Sequence, residues 1–166
     1  MGNDHYYSKH PAARHRRQEL ELRLHGVVLD LVSDTGVFSR RTVDKGTMLL
    51  IASIPPPQEG MVLDMGCGYG PIGLYYAARC PRCVVHMSDV NERAVALSRE
   101  NAARNGLSNV TVHAGTGFSA VADLAFDLIV TNPPIRAGRE VVLELFAGAK
   151  KHLTPGGVFA FVARTQ

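Results

Sequence analysis

The 166-residue sequence lacks two features of exported or membrane proteins. It has no apolar run near the ~20 residues that a membrane-spanning helix needs, and it has no signal peptide. We therefore expect a soluble protein with a cytoplasmic location. The length is that of one domain with a substantial core, so we predict a single domain over residues 1–166.

Patterns of metal ligands are missing as well. The seven histidines have no ligand spacing, so no metal site is predicted. Only three cysteines are present, and Cys80 and Cys83 form a C-x-x-C without the second cysteine pair of a zinc site. We interpret them as two unpaired thiols in a reducing cytosol, in preference to a redox pair or half of a zinc site.

A glycine-rich turn at residues 64–70 carries the most information, and it reads D-x-G-x-G-x-G. An apolar run precedes it and an apolar-periodic segment beginning at Pro71 follows, which predicts a strand, a tight turn and a helix. Glycines there permit positive φ and close approach of a ligand, beside the free N–H groups of a helix start. The third glycine of a dinucleotide motif would fall at Pro71. The pattern instead resembles motif I of the class I S-adenosylmethionine (SAM)-dependent methyltransferases, where it holds the amino-acid end of the cofactor.

A second acid, Asp89, ends the next apolar run and precedes a helix predicted over residues 91–105. An acid at the tip of the second strand can accept hydrogen bonds from both ribose hydroxyls of a nucleotide. The alternative is a helix N-cap, which Asp89 or Asn91 could supply equally well. The acid expected after the third strand is missing, so Thr116 or a backbone carbonyl is expected to hold the adenine amine.

The segment Asn132-Pro133-Pro134 follows the fourth predicted strand of the core. The prolines fix φ and push the residue before them into extended geometry, so the Asn132 side chain is held stiffly at the strand end. An exocyclic amine on a base or an amide is a poor nucleophile. The Asn132 side chain and the Pro133 carbonyl could accept both of its hydrogens and direct its lone pair at the SAM methyl group. The alternative is an ordinary turn after a strand.

These motifs, together with G-V-F-S at residues 36–39, D-K-G-T at 44–47 and H-Y-Y-S at 5–8, resemble single-domain members of the small-subunit ribosomal-RNA guanine-N2 methyltransferase family. The resemblance implies SAM as cofactor, S-adenosylhomocysteine as product and methylation of a base amine. It also implies that residues 36–39 and 46–47 close over the methionine end of SAM.

The candidate site follows from the motifs and the resemblance. The catalytic candidates are Asn132, Pro133 and Pro134. The cofactor-binding candidates are Phe38, Ser39, Thr47, Asp64, Gly66, Cys67, Gly68, Gly70, Asp89, Val90, Thr116 and Asn132. The substrate-binding candidates are Tyr7, Ile135 and Arg136.

Two departures from the family bear on the substrate. Ile135 stands where amine methyltransferases of this type often have an aromatic residue that stacks on the flipped base or amide. The second methyltransferase-like domain of larger members is also missing. A protein glutamine amide, a small-molecule amine and a SAM-binding module without turnover therefore remain as alternatives to ribosomal RNA.

Alternating strands and helices predict an α/β fold, a doubly wound and mainly parallel Rossmann-like sheet with helices on both faces. We expect a basic arm at residues 1–18, then a hairpin, a helix and a connector at 19–60, and a SAM-binding core at 61–166. A last helix is predicted over 138–152 and a last strand over 159–163. We expect the usual C-terminal antiparallel strand pair to be missing, which would leave the last strand as an edge.

The charge balance favours a nucleic-acid partner only mildly. The net charge of +3 arises entirely within residues 1–17, where tyrosines and histidines accompany the basic residues. Such an arm suits contacts with RNA phosphates and bases, although a solvated terminus would look the same. We expect RNA as partner, either ribosomal RNA or a partly assembled small subunit, and the sequence does not give the oligomeric state.

Overall fold

The protein is described by a computed structural model over residues 14–37, 42–133 and 139–163. Its strands are β1 (Gln18–Leu24), β2 (Val27–Ser33), β3 (Gly60–Met65), β4 (Cys83–Asp89), β5 (Val110–Ala114), β6 (Phe126–Thr131) and β7 (Leu153–Phe161). Its helices are α1 (Lys45–Ser53), α2 (Pro71–Arg79), α3 (Glu92–Arg104) and α4 (Arg139–His152), with a short 3-10 helix at Gly117–Val121. A helix long and apolar enough to span a bilayer is not found among the described residues.

The hairpin predicted before the core is formed by β1 and β2, which pair antiparallel. His25 and Gly26 form its turn, and both have positive φ, at 48° and 80°. Positive φ at both central residues gives a two-residue turn whose twist matches that of the strands. Leu22 and Leu29 face each other across the pair and are buried in the core, so one face of the hairpin packs on the domain.

The central sheet has five parallel strands in the order β5-β4-β3-β6-β7. The chain runs outward from β3 to β5, then crosses back to β6, which pairs with the other side of β3, so the strand order reverses between β3 and β6. In such sheets a ligand binds in the crevice at the carboxyl ends of the strands where the order reverses. The predicted α/β class, the parallel sheet and the preceding hairpin are therefore confirmed.

Side chains alternate between the two faces of the sheet. Val62 and Leu128 belong to the larger core, with α2, α3 and the hairpin, whereas Leu63 and Ile129 belong to the smaller core under α4 and the 3-10 helix. All four side chains are at most 2% exposed. Burial on both faces explains why these strands are continuous apolar runs in the sequence.

The last strand begins earlier than predicted. It starts at Leu153, directly after α4, so residues 154–157 lie within β7 and not in a loop before it. The pairing of β6 with β7 shifts register between Phe126 and Leu128. Gly156 lies in this part of β7, and its φ of 78° allows the strand to bulge there. Among the described residues β7 pairs only with β6, so it is an edge of the sheet.

The interpretation of Cys80 and Cys83 as unpaired thiols is wrong for this structure, in which a disulfide joins them. Their Cα atoms are 5.3 Å apart, because α2 ends at Arg79 and β4 starts at Cys83. The Asn109 side chain donates to the carbonyls of both cysteines, which closes the same turn. The sequence spacing allowed such a pair but did not favour it.

Candidate active site

The glycine-rich turn leads from β3 into α2 as predicted. Gly70 is the N-cap of α2, with φ of 98°, and Pro71 occupies the first helical turn. A Cβ atom at Gly70 would lie 2.8 Å from Cε of Met87 and 3.1 Å from Oγ of Ser98. Both the conformation and the space therefore require glycine at this position. The turn is held against β4, since the Gly66 N–H donates to the Ser88 carbonyl at 2.8 Å.

Asp64, the acid of the motif, is fully buried beneath this turn. Its Oδ2 atom accepts the Gly73 N–H at 2.8 Å, which ties β3 to the first turn of α2. Its Oδ1 atom has no hydrogen-bond partner. Burial raises the pKa of Asp64 to about 7, the Gly73 N–H opposes this shift, and the nearby Asp89 carboxylate adds to it. The carboxyl group therefore carries a proton over much of the acidic range.

The raised pKa of Asp64 predicts a stability that falls as the pH rises. The folded state binds the proton up to about pH 7, whereas the unfolded chain releases it near the ordinary value of 3.8. The unfolding free energy should therefore be highest below about pH 4, decrease by up to about 4 kcal/mol as the pH rises from about 4 to 7, and stay level above pH 7. Asp64→Asn should flatten this profile and be the more stable protein at pH 8. Urea unfolding at pH 4.5 and pH 8 measures both, and parallel profiles for the two proteins would contradict the prediction.

Asp89 stands at the end of β4, and its carboxylate is oriented by the backbone. Oδ2 accepts the Gly68 N–H at 2.9 Å and Oδ1 accepts the Asn91 N–H at 2.8 Å. Burial raises the pKa of Asp89, and these two N–H groups act in the opposite direction. The N-cap of α3 is Asn91, whose side chain accepts the N–H groups of Arg93 and Ala94. Each Asp89 oxygen keeps a lone pair for a ligand.

Asn132 follows β6 at the same edge of the sheet. Its Nδ2 group donates to Oδ2 of Asp44 at 2.9 Å and to Oγ1 of Thr47 at 3.0 Å. Both amide hydrogens are therefore used inside the protein, and the amide oxygen is the atom left to accept from a ligand. Thr131, just before it, donates its hydroxyl to the Met65 carbonyl and fixes the end of β6 against β3.

A cavity of about 370 Å³ opens over the carboxyl ends of β3, β4 and β6. Six of the predicted site residues line it: Gly66, Asp89, Val90, Thr116, Asn132 and Pro133. Its size is that of a ligand pocket, and apolar walls with a few polar groups are typical of cofactor sites. The structure thus brings the two motifs, about sixty residues apart in sequence, to one cavity.

Other predicted residues lie behind the cavity wall. Thr47, Asp64, Cys67, Gly68 and Gly70 do not line it. The Sγ atom of Cys67 lies 3.5 Å from Oγ of Ser98, and burial raises the pKa of this thiol well above its usual value. The remaining predicted residues lie outside the described part of the chain: Tyr7, Phe38, Ser39, Pro134, Ile135 and Arg136.

Several lining residues were missed in the sequence. Phe118 comes from the 3-10 helix, and Val141, Glu144 and Leu145 come from α4. The spacing of the three α4 residues, i, i+3 and i+4, places them on one helix face and was the available signal. Thr116, which was predicted together with an unspecified backbone carbonyl as a partner for the adenine amine, lines the cavity, and its own carbonyl accepts the Ser119 N–H. Glu144 places a carboxylate in the same cavity.

The described residues contain no group of three or more His, Cys, Asp or Glu side chains that could hold a metal ion. At the carboxyl ends of the strands the cavity has a carboxylate after β4 and a carboxamide after β6, and α4 adds the Glu144 carboxylate. This arrangement can hold a ribose-bearing ligand at one end and accept hydrogen bonds from an amine at the other.

Comparisons with known proteins agree with this geometry. The family model "Methyltransferase small domain" matches residues 28–166. The uncharacterized protein YbxB of Bacillus subtilis (strain 168) is 46% identical over 157 residues, which cover 93% of this chain and 78% of YbxB. Ribosomal RNA small subunit methyltransferase C of Pasteurella multocida (strain Pm70) is 42% identical over 139 residues. That match covers 81% of this chain and 42% of the relative, so the chain spans less than half of its length.

Two solved methyltransferase structures are similar in fold to this chain. The T. thermophilus 16S rRNA N2 G1207 methyltransferase (RsmC), in complex with AdoMet and guanosine, superposes with a TM-score of 0.73 at 25% identity, over 87% of this chain and 41% of that chain. A ribosomal protein L11 methylase from Lactobacillus delbrueckii subsp. bulgaricus has a TM-score of 0.57 at 28% identity, over 69% of this chain and 56% of its own.

Proposed function

Because the chain belongs to the methyltransferase small domain family, a family of SAM-dependent methyltransferases, we propose that it methylates the exocyclic amine of guanine in small-subunit ribosomal RNA. The observation that carries the proposal is the tethered Asn132 carboxamide, whose two hydrogens are both donated to the protein. Its oxygen is then free to accept from an amine at the cavity. The RsmC structure, which contains AdoMet and guanosine, supports a guanine as the base.

In this proposal SAM lies over the carboxyl ends of β3 and β4. Asp89 accepts from the ribose hydroxyls, and Val90 and Phe118, which both line the cavity, contact the adenine. The glycine turn, with Gly66, faces the methionine end. Phe38, Ser39 and Thr47 are proposed to close over that end, as the family resemblance implies.

The transfer step needs positioning more than acid or base groups. The guanine nitrogen attacks the methyl carbon, the new N–C bond forms as the S–C bond breaks, and S-adenosylhomocysteine leaves as a neutral thioether. The positive charge that develops on nitrogen is stabilised by the Asn132 oxygen and the Pro133 carbonyl, which accept the two amine hydrogens. The methylated nitrogen then releases one proton to water.

The contacts with RNA are proposed from the sequence. Pro134 and Ile135 would press on the flipped base, Arg136 would reach a phosphate or a base edge, and Tyr7 would contact the base from the basic arm. A ribosomal substrate would place the protein in the cytoplasm.

The test uses SAM with a tritiated methyl group and partly assembled small ribosomal subunits. Label should enter ribosomal RNA, be released by nuclease, and appear as N2-methylguanosine in nucleoside mass spectrometry. Label that resists nuclease and is released by protease would replace this proposal with methylation of a protein amide. Calorimetric binding of SAM without any product would indicate a SAM-binding module without turnover.

A further inference from the structure

We propose that Asp44 is a positioning residue for methyl transfer, which fixes the Asn132 carboxamide with its oxygen toward the cavity. The inference rests on the proposed function, because it assigns a role within that reaction. Asp44 is absent from the cavity wall, so it acts through Asn132 and not on the ligands.

The contact between the two side chains is direct. Oδ2 of Asp44 accepts one Asn132 amide hydrogen at 2.9 Å, and Oγ1 of the buried Thr47 accepts the other at 3.0 Å. The same Oδ2 atom accepts the Thr47 N–H at 3.1 Å, which makes Asp44 the N-cap of α1. The helix start and the carboxamide are therefore tied to one carboxylate oxygen.

A carboxylate is suited to this task because it can only accept hydrogen bonds. The two ends of a carboxamide have nearly the same shape, so packing alone selects poorly between them. A flipped Asn132 would place its oxygen against the Asp44 carboxylate, which cannot donate a hydrogen bond. The Thr47 hydroxyl can donate as well as accept, so Asp44 is the neighbour that selects the orientation of the carboxamide. Donation to a negative group also polarises the carboxamide, which makes its oxygen a stronger acceptor for the amine.

Gly46 permits the approach of α1 to Asn132. A Cβ atom at this position would lie 2.9 Å from Oδ2 of Asp44 and 3.5 Å from Nδ2 of Asn132. The first of these distances is too short for any side chain, so the carboxylate would have to move. A glycine two residues after the N-cap thus keeps the carboxylate at hydrogen-bond distance from Asn132.

The experiment compares two changes at Asp44. Serine is a good N-cap but is too short to reach Asn132, whereas alanine removes both the cap and the contact. Asp44→Ser should lower kcat by on the order of tenfold or more, with the Kd for SAM and the KM for RNA changed by less than about threefold. Asp44→Ala should lower kcat by the same factor but also lower Tm. Asp44→Asn, whose oxygen can take the place of Oδ2, should recover part of kcat.

A double-mutant cycle separates positioning from general damage. In an Asn132→Ala background, Asp44→Ser should change the residual kcat by less than about twofold, because nothing is left to position. A tenfold loss in both backgrounds, or an unchanged kcat for Asp44→Ser in the wild-type background, would overturn the proposal.

A second readout is independent of turnover. The side-chain amide signals of Asn132, assigned by their loss in Asn132→Ala, should show slow hydrogen exchange in the wild type and on the order of tenfold faster exchange in Asp44→Ser. Equal exchange in the two proteins would overturn the proposed contact. If the wild type methylates no RNA, the proposed function fails, and this measurement still decides whether Asp44 holds Asn132.

Discussion

Replacing Asn132 with alanine should lower kcat for methyl transfer by about 10² to 10³-fold, the loss that follows removal of one pre-set polar group from a reacting centre. The change removes the carboxamide oxygen that we propose accepts an amine hydrogen and stabilises the positive charge on nitrogen. Because Asn132 is also a cofactor-binding candidate, the Kd for SAM should rise, but by less than about tenfold, since Asp89 and the glycine turn remain. Single-turnover transfer from labelled SAM measures kcat, and calorimetry measures Kd.

Asn105→Ala is the matched control for this change. The Asn105 side chain also makes two contacts with one neighbour, the N–H and the carbonyl of Asp30, but it lies on the hairpin side of α3 and not in the cavity. It should lower the unfolding free energy by about 1 kcal/mol and leave kcat unchanged. Methyl transfer that survives Asn132→Ala at more than a tenth of the wild-type rate would exclude the proposed role of the carboxamide.

The sequence alone predicted the parts of the fold that depend on local patterns. The glycine turn, with Pro71 after it, marks the start of α2, and the apolar runs mark the parallel strands. Asp89 and Asn132 could be placed at one edge of the sheet because the carboxyl ends of parallel strands meet there. These inferences needed only residue types and spacing, and the cavity contains both side chains.

Other parts depend on contacts between segments far apart in the chain. Glu144 reaches the cavity because α4 packs over β6 and β7. The helical spacing of Val141, Glu144 and Leu145 places them on one face, but no nearby motif indicates that this face meets a ligand. Asp44 and Asn132 are 88 residues apart, and only the folded chain brings the N-cap of α1 against the end of β6. The buried state of Asp64, which raises its pKa, likewise follows from packing under the turn.

Replacing Asp89 with asparagine should raise the Kd for SAM by about 10 to 100-fold, the effect of losing hydrogen bonds to a charged acceptor. Asparagine has the same size but only one oxygen, and the Gly68 and Asn91 N–H groups already compete for the two oxygens of Asp89. A ribose hydroxyl would then face an amide nitrogen. Calorimetry with SAM and with S-adenosylhomocysteine measures the loss.

Asp127→Asn is the matched control, because Asp127 also accepts with both oxygens, from the Met61 N–H and the Thr154 hydroxyl. It lies near the amino end of β6, so it should change stability and not Kd. The ribose itself supplies the deciding comparison. Removing the 2′-hydroxyl from S-adenosylhomocysteine should weaken binding to the wild type by about tenfold and to Asp89→Asn by less than about twofold. Equal losses for both proteins would show that Asp89 shapes the turn without holding the ribose.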